Sequence, residues 1–101
     1  MRMLVLFDLP TQTLKEQREY VNFRKFLIKS GFIMMQYSVY SKLLLNNTSQ
    51  SLLRDKIVKN KPSAGTVQLL TITEKQFVKI EYILGSGQSS VVDSDKRLVI
   101  L

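Results

Sequence analysis

Three features of this sequence predict an α+β fold in a single domain. They are an unbroken apolar run at Arg2 to Phe7, two stretches of helical period set among strand-like segments, and a length of only 101 residues. A chain of that length has room for one core and no second one. The run RMLVLF is continuous rather than alternating, as a central strand covered on both faces requires.

Each element carries its own start and stop signals. Asp8-Leu9-Pro10 ends the first strand. Thr13 with Glu16 three residues later is a capping-box signature, and Leu14 to Ser30 then follows a helical period until Gly31 stops it. Phe32 to Met35 and Ser38 to Leu45 are rich in β-branched, aromatic and aliphatic residues and read as two strands joined near Gln36 and Tyr37. Asn46-Asn47 makes a turn, and Thr48 to Lys59 is a second helix ended by Asn60-Lys61-Pro62. Gly65 opens a further strand, Thr66 to Thr73.

In order this is βαββαβ, the split βαβ pattern of ferredoxin-like folds, in which an antiparallel sheet carries both helices on one face. The domain is expected over residues 1–84, with Glu74 to Phe77 as a helical turn and Val78 to Leu84 as a fifth strand. Residues 85–101 read as a linker, Gly85 to Ser90 (GSGQSS), followed by a short apolar strand at Arg97 to Leu101. A strand tethered in this way can pair with the sheet edge of a second subunit, so the extra C-terminal strands suggest exchange in a homodimer. A frayed tail is the alternative.

Composition removes several kinds of chemistry. There is no Cys, His or Trp, which excludes disulfides, thiolate chemistry, Zn-type sites and His-based acid–base catalysis. An enzyme built from this chain must use carboxylates, hydroxyls, Lys or Arg, with a hard cation such as Mg²⁺ as the natural assistant. Fifteen Lys and Arg against eight Asp and Glu give a net charge of +7, which points to a polyanionic partner. No apolar run approaches the roughly 20 residues that span a bilayer, and the N-terminus lacks the plan of a signal peptide. A cytoplasmic location and no membrane partner are expected.

On the first helix, Lys15, Arg18, Asn22, Lys25 and Lys29 fall at alternating three- and four-residue spacing on one stripe, with Tyr20, Val21, Phe23, Leu27 and Ile28 on the other side. Four cations and an amide in a row suit a face that tracks phosphates by replacing condensed counterions; an ordinary solvated helix face has the same pattern. Arg24 lies among the apolar positions, between Tyr20 and Ile28, where its guanidinium must snorkel or meet Asp8 or a phosphate. Arg54, Lys56, Lys59 and Lys61 form a looser cluster that reads as solvated surface, and Lys75, Lys79, Lys96 and Arg97 add charge near the tail. Asp8 is the acidic residue whose place suggests chemistry, because it ends a buried strand beside a helix start. It can bond the amides of its own turn, or two copies can face each other across a two-fold axis and hold a metal.

Taken together, the strand ending in Asp8-Leu9-Pro10, the helix ending in Phe26-Leu27-Ile28-Lys29-Ser30-Gly31, and Gln36-Tyr37-Ser38-Val39-Tyr40 resemble a known family. It is that of the CRISPR-associated spacer-acquisition proteins, the second of the two core adaptation proteins, also called small CRISPR-associated endoribonucleases. The likeness continues through Gly65-Thr66-Val67 and Leu69 to Gln76, and its wording is most similar to the type II-A branch. The resemblance implies a ferredoxin-like homodimer with exchanged C-terminal strands that bridges dimers of the CRISPR adaptation integrase and supports double-stranded DNA during insertion. It also implies a Mg²⁺-dependent endonuclease (Mn²⁺ as a substitute), with Asp8 of both subunits as catalytic and metal-binding residue. Some relatives carry arginines two residues apart early in the first helix, where Tyr20 and Asn22 stand here. A ferredoxin-like regulatory or toxin-type dimer acting only through protein partners is the competing class, since this superfold hosts many functions.

Overall fold

The computed structural model describes residues 1–85, and they form the ferredoxin-like βαββαβ order expected from the sequence. The elements are β1 (Arg2–Asp8), α1 (Leu14–Lys29), β2 (Ile33–Gln36), β3 (Val39–Leu43), α2 (Asn47–Lys59), β4 (Thr66–Ile72) and a one-turn α3 (Glu74–Phe77). The sheet runs β2-β3-β1-β4, and every neighbouring pair is antiparallel. β1 is thus a central strand, which accounts for its unbroken apolar run.

Strand alternation sorts the residues of β1 between two faces. Met3, Val5 and Phe7 point to the helical layer and join Phe23 and Leu27 of α1, Leu53 and Ile57 of α2, and Tyr40 of β3 in one buried cluster. Arg2, Leu4, Leu6 and Asp8 belong to the opposite face. Phe7 anchors the centre of an aromatic group, edge-on to Phe23 at 5.3 Å, stacked on Tyr40 at 5.7 Å and edge-on to Tyr20 at 6.1 Å.

The capping box at α1 is complete: Glu16 N–H donates to the Thr13 hydroxyl, and the Glu16 carboxylate accepts from the Thr13 N–H. At the other end Gly31 takes φ 95°, the left-handed conformation that ends a helix cheaply only in glycine. The Lys42 ammonium reaches from β3 to donate to the Ser30 carbonyl there. A second capping box, Thr73 with Gln76, starts α3.

Val78 to Leu84 does not form the expected fifth strand. The turn bonds of α3 run on, from Val78 N–H to Glu74 O, Lys79 N–H to Gln76 O and Ile80 N–H to Phe77 O, so this segment leaves the helix coiled rather than extended. Arg2 fixes its start by a two-pronged pair with Glu74 (2.9 and 2.7 Å), its guanidinium lying 4.2 Å from the centre of the Phe77 ring. From there the chain crosses the sheet face away from the helices, where Phe77, Val78, Ile80 and Tyr82 line a groove with Ile33 and Met35. The linker over Gly85 to Ser90 and the exchange strand Arg97 to Leu101 lie outside the described residues, apart from Gly85.

Candidate functional site

Asp8 is the last residue of β1, solvent-exposed and paired across the sheet with Thr66 of β4. Its position is set from three sides. Phe7 beside it is locked into the aromatic core, and the Phe7 N–H donates to the Ser38 carbonyl at 3.1 Å. Behind it, the loop before β4 comes so close that a Cβ on Gly65 would sit 2.6 Å from the Asp8 carbonyl oxygen and 3.1 Å from Leu9 Cα. That loop is in turn tied to α1, because Ser63 donates its N–H (2.9 Å) and its hydroxyl (2.8 Å) to the Glu19 carboxylate. The Ser63 N–H, helped by its hydroxyl and opposed by partial desolvation, holds the Glu19 carboxyl below its ordinary pKa, and Lys15 adds a weaker pull in the same direction.

Lys15, Arg18, Asn22, Arg24, Lys25 and Lys29 are all exposed on α1. Lys15 lies 4.0 Å from Glu19, while Arg18, Arg24, Lys25 and Lys29 have no ion pair among the described residues. The helix therefore presents a row of exposed cations. On α2, Arg54 is spent on the neighbouring Asp55 at 3.7 Å, in keeping with its reading as solvated surface.

Of the courses open to Arg24, the side chain takes the exposed one: it reaches solvent and makes no ion pair with Asp8 among the described residues, because the buried stripe of α1 is narrower than the apolar residues suggested. Phe23 and Leu27 carry it with Tyr20 and Phe26 packed beside them, whereas Val21 and Ile28 remain 44% and 47% exposed. Arg24 consequently stands on an open flank, one turn beyond Tyr20. Among the described residues Asp8 forms no ion pair with an α1 cation: the cations are exposed on the helix, and Asp8 sits at the end of a sheet strand.

Among the described residues no group of three acidic, Cys or His side chains could hold a metal ion. A single carboxylate per chain falls short of the oxygen set that Mg²⁺ needs, so any such site requires a second chain or the phosphates of a substrate. No local pattern marks Gly65, Ser63 or Glu19 as supports for Asp8, since their contacts join residues far apart in the chain. A conformational signal was equally hidden at Ser38, a non-glycine residue at φ 66°.

Residues 1–80 match the family described as CRISPR associated protein Cas2. The chain is 50% identical over 101 residues to a CRISPR-associated endoribonuclease Cas2 of Streptococcus mutans, covering all of this chain and 93% of the relative. It is 52% identical over 101 residues to one of Treponema denticola, with both chains covered in full. The crystal structure of Streptococcus pyogenes Cas2 at pH 6.5 superimposes with a TM-score of 0.64 over 84% of this chain and 100% of that one, at 15% identity. Among the described residues no helix is long and apolar enough to cross a membrane.

Proposed function

The chain belongs to the CRISPR associated protein Cas2 family, and from that membership we propose that it is a homodimeric nuclease of cytoplasmic CRISPR spacer acquisition. In this role it grips the backbone of double-stranded DNA and bridges dimers of the adaptation integrase, and it cuts phosphodiesters at Asp8. The observation that carries it is that one chain holds both a supported, exposed carboxylate at the end of β1 and a row of exposed α1 cations with no ion pair among the described residues, apart from Lys15. Similarity to a protein named endoribonuclease over the whole chain supports the nuclease part, and the Streptococcus mutans relative supports the type II-A branch.

A dimer fits the sheet face away from the helices. Ile33 and Leu70 there are 66% and 51% exposed, and among the described residues the segment after α3 lines only part of the face. Asp8 belongs to the same face by alternation, so two copies of the chain meeting there would bring two carboxylates to one axis. Mg²⁺ held by such a pair supplies charge neutralisation at the phosphate and a more acidic water. The chain's own contribution is to hold Asp8 still and to bind the backbone without reading bases.

A reconstituted insertion assay tests the acquisition role, with partner integrase, a duplex fragment, an array plasmid and this protein as wild type or Asp8→Ala. Insertion should require the protein and tolerate Asp8→Ala, because the grip lies on α1. Equal insertion with the protein left out would remove the bridging role.

A further inference from the structure

Leu14, Val21 and Ile28 recur at intervals of seven residues along α1 and lie roughly 140° around the helix from Phe23 and Leu27, which face the core. None of the three belongs to the buried cluster among the described residues: Leu14 is 70% exposed and the other two nearly half. Aliphatic side chains scattered singly over a surface mean little. These three stand in line, at the interval of a helix-to-helix seam.

The surface between them has the shape of such a seam. A shallow hollow of about 230 Å³ is lined by Leu14, Gln17, Arg18, Val21 and Asn22. The first four fall at i, i+3, i+4 and i+7, the four positions that form a hole for a knob from a facing helix. One heptad further on, Val21, Arg24, Lys25 and Ile28 repeat the pattern. Each hole has aliphatic ends and polar sides, and Arg18, Arg24 and Lys25 on those sides have no ion pair among the described residues. A second copy of this chain is a poor occupant, because it would set these cations against their own copies. Phosphates account for the cations and leave the aliphatic line unused.

We propose that the outer face of α1 docks an acidic amphipathic helix of another protein, which seats apolar residues at heptad spacing in the two holes and turns Asp or Glu towards Arg18, Arg24 and Lys25. From Leu14 to Ile28 the face is about 21 Å long, so a helix of about four turns covers it. Burial of the aliphatic line supplies affinity, and the charge pairs set register and choice of partner. The same cations bind phosphates in the nucleic-acid reading of α1. On that reading the docked helix and a duplex exclude each other, and such a partner takes the protein off DNA.

The test uses the full chain and a fluorescent helical peptide of about three heptads, with leucines on its seam and glutamates on its flanks. A peptide of the same composition with the leucines moved off the seam is the control, and a labelled duplex is the competitor. Wild type should bind the seam peptide, bind the control more weakly, and release the duplex as the seam peptide is added. Val21→Gln with Ile28→Gln should weaken the seam peptide by about 10- to 100-fold, the worth of two partly buried aliphatic side chains. The same variant should hold the duplex as wild type does, which also shows that the helix is intact. Arg18→Glu with Lys25→Glu should lose the glutamate peptide and accept a counterpart flanked by lysines. Equal binding of seam and control peptides, or no loss in Val21→Gln with Ile28→Gln, would reduce the contact to charge alone and overturn the docking. Two further results would do the same: anionic vesicles captured through Val21 and Ile28 in place of the peptide, or a change of oligomeric state in that variant, which would make the cover a second copy. Peptide and duplex bound together would overturn the exclusion. If the peptide binds and the duplex does not, the docking stands and the nucleic-acid reading of α1 fails.

Discussion

Replacing Gly65 by alanine should damage the end of β1 without touching the nucleic-acid grip. Gly65 sits at φ 96°, where a side chain is strained, and its Cβ would meet the Asp8 carbonyl oxygen at 2.6 Å and Leu9 Cδ2 at 2.9 Å. The Leu9 methyl can swing away. The Asp8 carbonyl cannot, because Asp8 is held in register with Thr66 on β4 and Phe7 beside it is buried in the aromatic group. Backbone strain of this kind costs about 1–3 kcal/mol, and the entropy removed from the unfolded chain returns only about 0.4–1 kcal/mol. Relief of the overlap adds to the loss, so a net destabilisation of about 1–3 kcal/mol is expected, or a fall in Tm of about 5–20 °C for a domain of this size. Gly31 gives the comparison, since a Cβ there would meet chiefly the far end of the Lys42 side chain. Thermal unfolding followed by circular dichroism, with binding and cleavage assays on the same samples, reads the effect. Gly65→Ala should be the less stable of the two, bind nucleic acid normally and cut poorly. A Gly65→Ala protein as stable as wild type, or no worse than Gly31→Ala, would refute the claim that this close approach sets the position of Asp8.

Charge reversal on α1, Lys25→Glu with Lys29→Glu, should weaken binding to all duplex sequences alike and flatten the dependence of affinity on salt, measured by fluorescence anisotropy between about 50 and 200 mM. Loss confined to one sequence would mean that these residues read bases. Acid should loosen the fold through Glu19 and Glu74, whose carboxyls are lowered chiefly by Ser63 and by Arg2 respectively. A lowered folded pKa means that the stabilisation is present above the ordinary carboxylate range and disappears as pH falls through the lowered values. Denaturation midpoints of wild type should therefore drop on acidification more than those of Glu19→Gln with Glu74→Gln. Parallel pH profiles would contradict the assignment.

Local signals carried most of the fold. Thr13 and Glu16 marked the start of α1, Gly31 its end, and the apolar run at β1 its central place in the sheet. Each is decided by residues within a turn or a strand of one another. Val78 to Leu84 failed for a long-range reason: its composition suits a strand, but the α3 turn bonds and the Arg2–Glu74 pair send it across a sheet face instead. The same limit applies at the site. Asp8 and the exposed stripe of α1 were visible as residue types at telling positions. The flank that holds Arg24 depended on how α1 rolls onto the sheet, which Phe23 and Leu27 decide. Nothing in the string of letters joined Ser63 to Glu19 or Gly65 to Asp8, and nothing marked Ser38 as left-handed. These are consequences of packing between segments distant in sequence, and they are what hold the candidate site in shape.

The most direct measurement puts binding and cutting side by side for wild type and Asp8→Ala, with labelled nucleic acid in Mg²⁺ and again in excess chelator. The expected result is undiminished affinity in Asp8→Ala with cleavage abolished, and the same loss of cleavage for wild type in chelator. Cleavage that survives Asp8→Ala, or a loss of affinity that accounts for the whole loss of cleavage, would contradict a chemical role for Asp8.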